Sequence, residues 1–158
     1  MKTLLALIFS VLITVLIFAN YSLIQKDKEL ETILIEEITD GDTFVSSTGE
    51  KFRLLNINTP EKSEKGYQEA KNYLSSFKGK LLEVEILGSD KYGRTLVRVF
   101  APEYLNLEII KKGLGKKFLV EESELEDFKL AEEFAIENSL GLWTKSSFYG
   151  CISTEINY

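Results

Sequence analysis

Leu4 to Ala19 reads LLALIFSVLITVLIFA, sixteen residues without a charge, preceded by Lys2. A helix on the surface of a soluble domain carries a polar stripe, and this segment has none. It therefore stands apart from whatever the rest of the chain folds into. Sixteen residues fall short of the roughly 20 that span a bilayer, and extension through Asn20–Ile24 supplies the length at some polar cost. Two readings stay open: an uncleaved signal anchor over residues 1–24, or a signal peptide cut after Ala19, where Ile17 fits an A-x-A site poorly. Either places the remainder outside the cytoplasm, membrane-anchored or secreted. Lys2 agrees with an N-inside orientation, while Lys26 and Lys28 blunt that bias.

What remains is one domain's worth of a 158-residue chain. After a short polar linker over 25–31, Thr32–Ile38 is β-branched and partly apolar, and Thr43–Ser46 suggests a second strand. Ser47–Glu50 reads as a turn into Lys51–Ile57. Leu82, Val84 and Ile86 alternate with Glu83 and Glu85, the period of a half-buried strand, and Thr95–Phe100 is extended again. Interleaved with these five strands are three helical stripes: Tyr67, Ala70, Leu74 and Phe77; Leu105, Ile109 and Ile110; and Leu125, Phe128, Ala131 and Ala135. Gly113 is a candidate cap for the second helix; Ser123 and Gly141 are the expected start and stop of the third. The pattern predicts a small α+β barrel, mainly β, over 32–144, followed by a tail over 145–158.

The chain has no histidine and a single cysteine, Cys151. That removes imidazole acid–base chemistry, His metal sites, Cys-cluster zinc sites and any intrachain disulfide. Chemistry here has to run on carboxylates, Arg, Lys, Tyr and hydroxyls. The net charge of −6 argues at first against a polyanionic partner. Its distribution weakens the objection: eight acids between Glu121 and Glu137 face only Lys129, a net of −7, so everything else sums to +1. Most of those acids read as the solvated face of the third helix.

Four stretches carry candidate chemistry. Asp40-Gly41-Asp42-Thr43 brings two carboxylates together at a bend, as a plain turn or as oxygen ligands for a hard cation. Phe52-Arg53-Leu54-Leu55 sets a guanidinium in an apolar strand, where burial demands an anionic partner, either a structural carboxylate or a phosphate. In Asn58-Thr59-Pro60-Glu61, the proline stiffens the corner from which Glu61 projects, as a helix-start acid or as a base. Asp90-Lys91-Tyr92-Gly93-Arg94 is either a solvated hairpin tip or a site with two cations and a ring beside an acid. Together, two Asp, two Arg and one Glu form an inventory for phosphodiester hydrolysis without histidine. A metal polarises a phosphoryl oxygen, a carboxylate takes the proton of water, and arginines match the phosphate oxygens.

In this order, DGDT, FRLL, TPE and DKYGR resemble the staphylococcal nuclease (thermonuclease) family. The resemblance runs from about Thr32 to Trp143 and includes Asn106, Gly113-Leu114 and Gly141-Leu142-Trp143. It implies a five-stranded OB-fold barrel with three helices, and Ca²⁺-dependent cleavage of DNA and RNA to products bearing a 3′-phosphate. Carried over by motif, it implies that Arg53, Glu61 and Arg94 are catalytic. It likewise implies that Asp42 and Asn58 ligate the metal with the backbone carbonyl of Thr59, that Asp40 stands behind them, and that Lys91 and Tyr92 contact the nucleotide. The family has Asp where this chain has Asn58, which removes one negative charge from the metal site. Leu119 and Glu121 occupy the positions of base-stacking tyrosines, and Lys62 and Lys65 lie in a shortened loop after Glu61. The alternative is a catalytically silent OB-fold module that binds nucleic acid or an extracellular partner. A monomer is expected in either case.

Overall fold

The computed structural model describes residues 9–17 and 30–144. Residues 9–17 are helical, and among the described residues no helix is long and apolar enough to cross a membrane. The rest of the expected 1–24 anchor, most of the 25–31 linker and the 145–158 tail with Cys151 lie outside the described residues.

The five expected strands close into a barrel in the order β1 (Leu30–Ile38), β2 (Thr43–Ser46), β3 (Lys51–Leu54), β6 (Thr95–Phe100) and β5 (Leu81–Ser89). All neighbours are antiparallel except β3 and β6, which run parallel. This is the closed α+β, OB-type architecture expected from the sequence. Closure has a sequence cause. Ile35, Phe44, Phe52, Val84, Val97 and Val99 point inward and are all but fully buried. Phe44 and Phe52 are paired in register and stack with ring centroids 5.3 Å apart. The alternation along β5 holds for Leu82 and Val84 and then fails. Ile86 is 38% exposed, because the β5–β6 register slips between Ile86 and Ser89 and carries the strand beyond the core.

Three helices follow the predicted stripes: α1 (Tyr67–Ser75), α2 (Leu105–Lys111) and α3 (Leu125–Glu137). Leu74, Ile109, Ile110 and Phe128 seal the barrel with them. Gly113, with a φ of 68°, ends α2 as expected, its N–H donating to the Ile110 carbonyl. Ser123 does not cap α3: Glu124 holds that position without a side-chain cap, because its carboxylate is engaged elsewhere. Asn106, fully buried, accepts from Val99 N–H and donates to the Leu55 and Val97 carbonyls, fastening α2 to the barrel.

The expected third strand, Lys51–Ile57, is broken. Asn56 adopts a left-handed φ of 66°, and Ile57–Asn58 leaves the barrel as β4 to pair with β7 (Lys116–Lys117). This break positions the site, for it turns Asn58, Thr59 and Glu61 across the mouth of β2 and β3. It is held from below. Asn56 Nδ2 donates 2.8 Å to Glu124 Oε2, and Arg98 clasps the same carboxylate at 2.6 Å while lying 3.3 Å from Glu85. Two acids of the Glu121–Glu137 run therefore depart from the expected solvated face. Glu124 serves this network, and Glu132 is buried against Lys117.

Candidate active site

Asp42 follows the bend before β2, Arg53 lies in β3, and Asn58 ends β4. Their side chains meet because β2 and β3 are register-paired and the break at Asn56 folds β4 back over them. Asp42 Oδ2 lies 2.8 Å from Arg53 Nη1 and accepts from Thr59 N–H and Thr59 Oγ1, while its Oδ1 accepts from Thr43 Oγ1. Burial pushes the Asp42 carboxyl up to about 6 against the pull of Arg53 and of the Thr59 N–H. Its charge is thus incompletely compensated by the protein alone. Burial also draws the Arg53 guanidinium down from its ordinary value, with Asp42 opposing.

Arg53 is committed at several points. Its Nη1 donates to the Leu54 carbonyl and faces Asp42, and its Nη2 donates to the Ile57 carbonyl and to Asn58 Oδ1, both at 3.0 Å. Nε–H is the donor of this fork without a partner among the described contacts. Arg94, half-buried, directly precedes β6, the strand that pairs with β3 and sets Leu96 beside Arg53. Its Nε and Nη2 hold Asp90 Oδ2, and its Nη1 is 3.4 Å from Thr43 Oγ1. Asp90 Oδ1 meanwhile accepts from the backbone N–H groups of Tyr92 and Arg94, which tightens the turn that presents both.

One cavity of about 100 Å³ is lined by Asp40, Asp42, Arg53, Asn58, Thr59, Pro60, Glu61 and Arg94. The three residues expected to be catalytic and the four expected at a metal therefore surround a single space, although up to 54 positions separate them in sequence. Glu61 sits exposed at its rim, beyond the buried Pro60, with its own N–H held by Glu64. Lys91 and Tyr92 are not in this cavity. They line a larger one of about 580 Å³ that shares Arg53, Asn58 and Arg94 with it.

The backbone at Gly41 does not itself require glycine. A Cβ there would lie 2.6 Å from Ala70 Cβ and 2.7 Å from Thr59 Oγ1, so the residue admits α1 and Thr59 to the Asp42 bend.

Among the described residues no three His, Cys, Asp or Glu side chains converge as a metal cluster. The donor set still suits a hard cation. Asp40 and Asp42 supply carboxylates, Asn58 an amide oxygen and Thr59 a carbonyl, and calcium accepts such neutral oxygens together with waters. The raised pKa of Asp42 marks a buried negative charge that a cation would relieve.

Phe118 was missed by the sequence reading. It is half-exposed and lines the larger cavity together with Tyr92, one position before Leu119, which has a left-handed φ of 50°. An aromatic ring adjacent to the expected stacking position was the available signal.

A closed OB-type barrel thus carries two guanidinium groups and three carboxylates around one cavity. Residues 51–145 match the staphylococcal nuclease homologue family. The chain is 31% identical over 143 residues to an uncharacterized endonuclease of Haemophilus influenzae, covering 87% of this chain and 80% of the relative. Two uncharacterized endonucleases, from Escherichia coli O157:H7 and Escherichia coli, are each 27% identical over 115 residues, 70% of this chain and 75% of theirs. The chain belongs to the staphylococcal nuclease homologue family.

Proposed function

We propose that this protein is a Ca²⁺-dependent nuclease that hydrolyses phosphodiester bonds of DNA or RNA outside the cytoplasm. The observation that carries the reading is the convergence of Arg53, Arg94, Asp40, Asp42 and Glu61 on one small cavity. Arg53 and Arg94, which both line this cavity, bind a phosphate and stabilise the charge that builds on its oxygens. Glu61, on the stiff corner made by Pro60, accepts the proton of the attacking water. Asp42, Asn58 and the Thr59 carbonyl, with Asp40 behind them, would hold calcium, which would supply polarisation of a phosphoryl oxygen and orientation of the water. Lys91 and Tyr92 take the adjoining nucleotide in the larger cavity. The protein acts as a monomer, held to the membrane by residues 1–24 as a signal anchor or released when that segment is cut.

The test uses the full-length chain in detergent micelles with single-stranded DNA and millimolar Ca²⁺, beside Glu61→Gln. Wild type is expected to cut at least 100-fold faster, in line with general-base contributions of about 10²–10⁴. Equal rates across several divalent ions would remove the enzyme reading. For location, alkaline extraction of membranes is expected to leave the protein in the pellet if the anchor is retained, and culture supernatant to contain it if the segment is cut.

A second reading has its own support. Asn58 Oδ1 is already engaged by Arg53, and most of the Arg53 donors are committed to protein acceptors. A silent OB-fold module that binds nucleic acid or an extracellular partner would tolerate both. The same cleavage assay separates the two.

A further inference from the structure

Behind the small cavity lies a third, of about 420 Å³, lined by Asn58, Thr59, Pro60, Glu64, Lys65, Lys116 and Leu142. It shares Asn58, Thr59 and Pro60 with the small cavity, and that cavity shares Arg53, Asn58 and Arg94 with the large one beside Tyr92. The large and third cavities have only Asn58 in common. The three spaces therefore meet at Asn58, and the small cavity that holds Arg53, Arg94 and Glu61 shares further lining with each of the other two.

The local fold explains why the third cavity is cationic. In the β4–β7 ribbon, Asn58 is register-paired with Lys116, and Ile57 with Lys117. Paired residues share a face and successive residues alternate. Lys116 thus faces the same side as Asn58, whereas Lys117 turns away to meet Glu132. Lys116 Nζ sits 5.6 Å from the centre of the Trp143 ring, and Lys65 Nζ rests 3.3 Å from the Thr144 carbonyl. Neither lysine forms a salt bridge among the described residues, and both are exposed. The one acid on this wall, Glu64, has a carboxylate oxygen taken up by the Glu61 N–H. Pro60 and Leu142 give the cavity an apolar surface beside its two ammonium groups. Its volume lies within the usual range for small-ligand sites of about 300–1,000 Å³.

We propose that this cavity is a second nucleotide subsite, in which Lys65 and Lys116 hold the backbone phosphates of a single-stranded polynucleotide on the side of the scissile bond opposite Tyr92. The inference rests on the nuclease reading above and extends it. The strand passes through all three cavities, so nucleotides on both sides of the bond are gripped and cleavage falls at internal positions.

Full-length Glu61→Gln protein in detergent micelles, titrated with fluorescein-labelled oligothymidylate at several salt concentrations, reads this directly. Each phosphate contact on a single strand contributes about 0.7 to the slope of log affinity against log salt. Lys65→Gln and Lys116→Gln, each added to the Glu61→Gln chain, are expected to reduce that slope by about 0.7, and together by about 1.4. Lys116→Arg should retain it, and Lys129→Gln, a charge change on α3, should leave it unaltered. Circular dichroism melting checks that each variant is folded. If the oligonucleotide binds and both lysine variants keep the parent slope, the second subsite is overturned while the nuclease reading stands. If wild type neither binds nor cuts, the nuclease reading fails and this subsite fails with it.

Discussion

Arg53 Nη2 lies 3.0 Å from Asn58 Oδ1, so the amide that stands where a carboxylate was expected is held by one of the two arginines of the site. The contact joins β3 to β4 across the break at Asn56 and fixes which way Asn58 faces. It also makes the two residues interdependent, since any group that recruits the Asn58 oxygen competes with Arg53.

Replacing Asn58 by Asp restores a negative charge at that junction. Ligand charge strongly tunes calcium affinity, and Arg53 is in place to orient the new carboxylate. Asn58→Asp is expected to tighten Ca²⁺ binding about tenfold, which corresponds to about 1.4 kcal/mol. Isothermal titration calorimetry on both proteins checks this, and indistinguishable dissociation constants would argue that residue 58 is no ligand.

Packing at Gly41 makes a different kind of prediction. A methyl group there collides with Ala70 Cβ and with the Thr59 hydroxyl that binds Asp42. Gly41→Ala should therefore cost about 1–3 kcal/mol, as overpacking does, and should also impair cleavage, because Thr59 has to move. Urea denaturation alongside a single-turnover assay measures both. Full activity and an unchanged midpoint would show that the bend yields without disturbing Asp42.

The Arg98 network predicts how stability depends on pH. Burial pushes the Glu124 carboxyl up, but the hydrogen bond and charge of Arg98 pull it further down, leaving it below its ordinary value. A depressed carboxyl contributes stability that is complete above its unfolded value, near 4.3, and fades as pH falls through the folded value beneath it. Wild type should lose stability below about pH 4 more steeply than Glu124→Gln, while at pH 7 Glu124→Gln should be the weaker protein. Arg98→Ala removes the cation that Glu124 and Glu85 share and should cost about 3–5 kcal/mol at neutral pH. Denaturant midpoints at pH 7 and pH 3.5 are the measurement.

Phe118 and Tyr92 form the aromatic walls of the larger cavity. Stacking of a base on such a ring is worth about 1–3 kcal/mol. Phe118→Ala should raise KM for single-stranded DNA by roughly five- to a hundred-fold, with a smaller change in kcat. Leu119→Tyr, at the position expected to carry a stacking ring, should lower it. A Phe118→Ala enzyme with wild-type KM would indicate that this ring contacts no base.

Residues whose roles are set by their own chemistry were legible before any coordinates. Leu82 and Val84, alternating with acids, had to face a core, and Arg53 inside an apolar strand had to find an anion, which is Asp42. Gly113 ended its helix for a reason local to its backbone. The misreadings arose where a distant partner overrode a local preference. Glu124 displaced Ser123 at the start of α3 because Arg98 and Asn56 claim its carboxylate. Gly41 is needed for what approaches it rather than for its own conformation. Phe118 reaches the cleft only because Asn56 and Leu119 both take left-handed conformations.

Sequence alone therefore determined the barrel, its helices and the membership of the charged group, because periodicity, hydrophobicity and residue chemistry are carried by each short segment. Tertiary structure decided how that group is arranged: that Arg53 binds Asn58 as well as Asp42, and that Asn58 lines three adjoining cavities. Those relations depend on the break after β3 and on the β4–β7 pairing. Both are settled by contacts between residues some sixty positions apart, and no local pattern encodes such contacts.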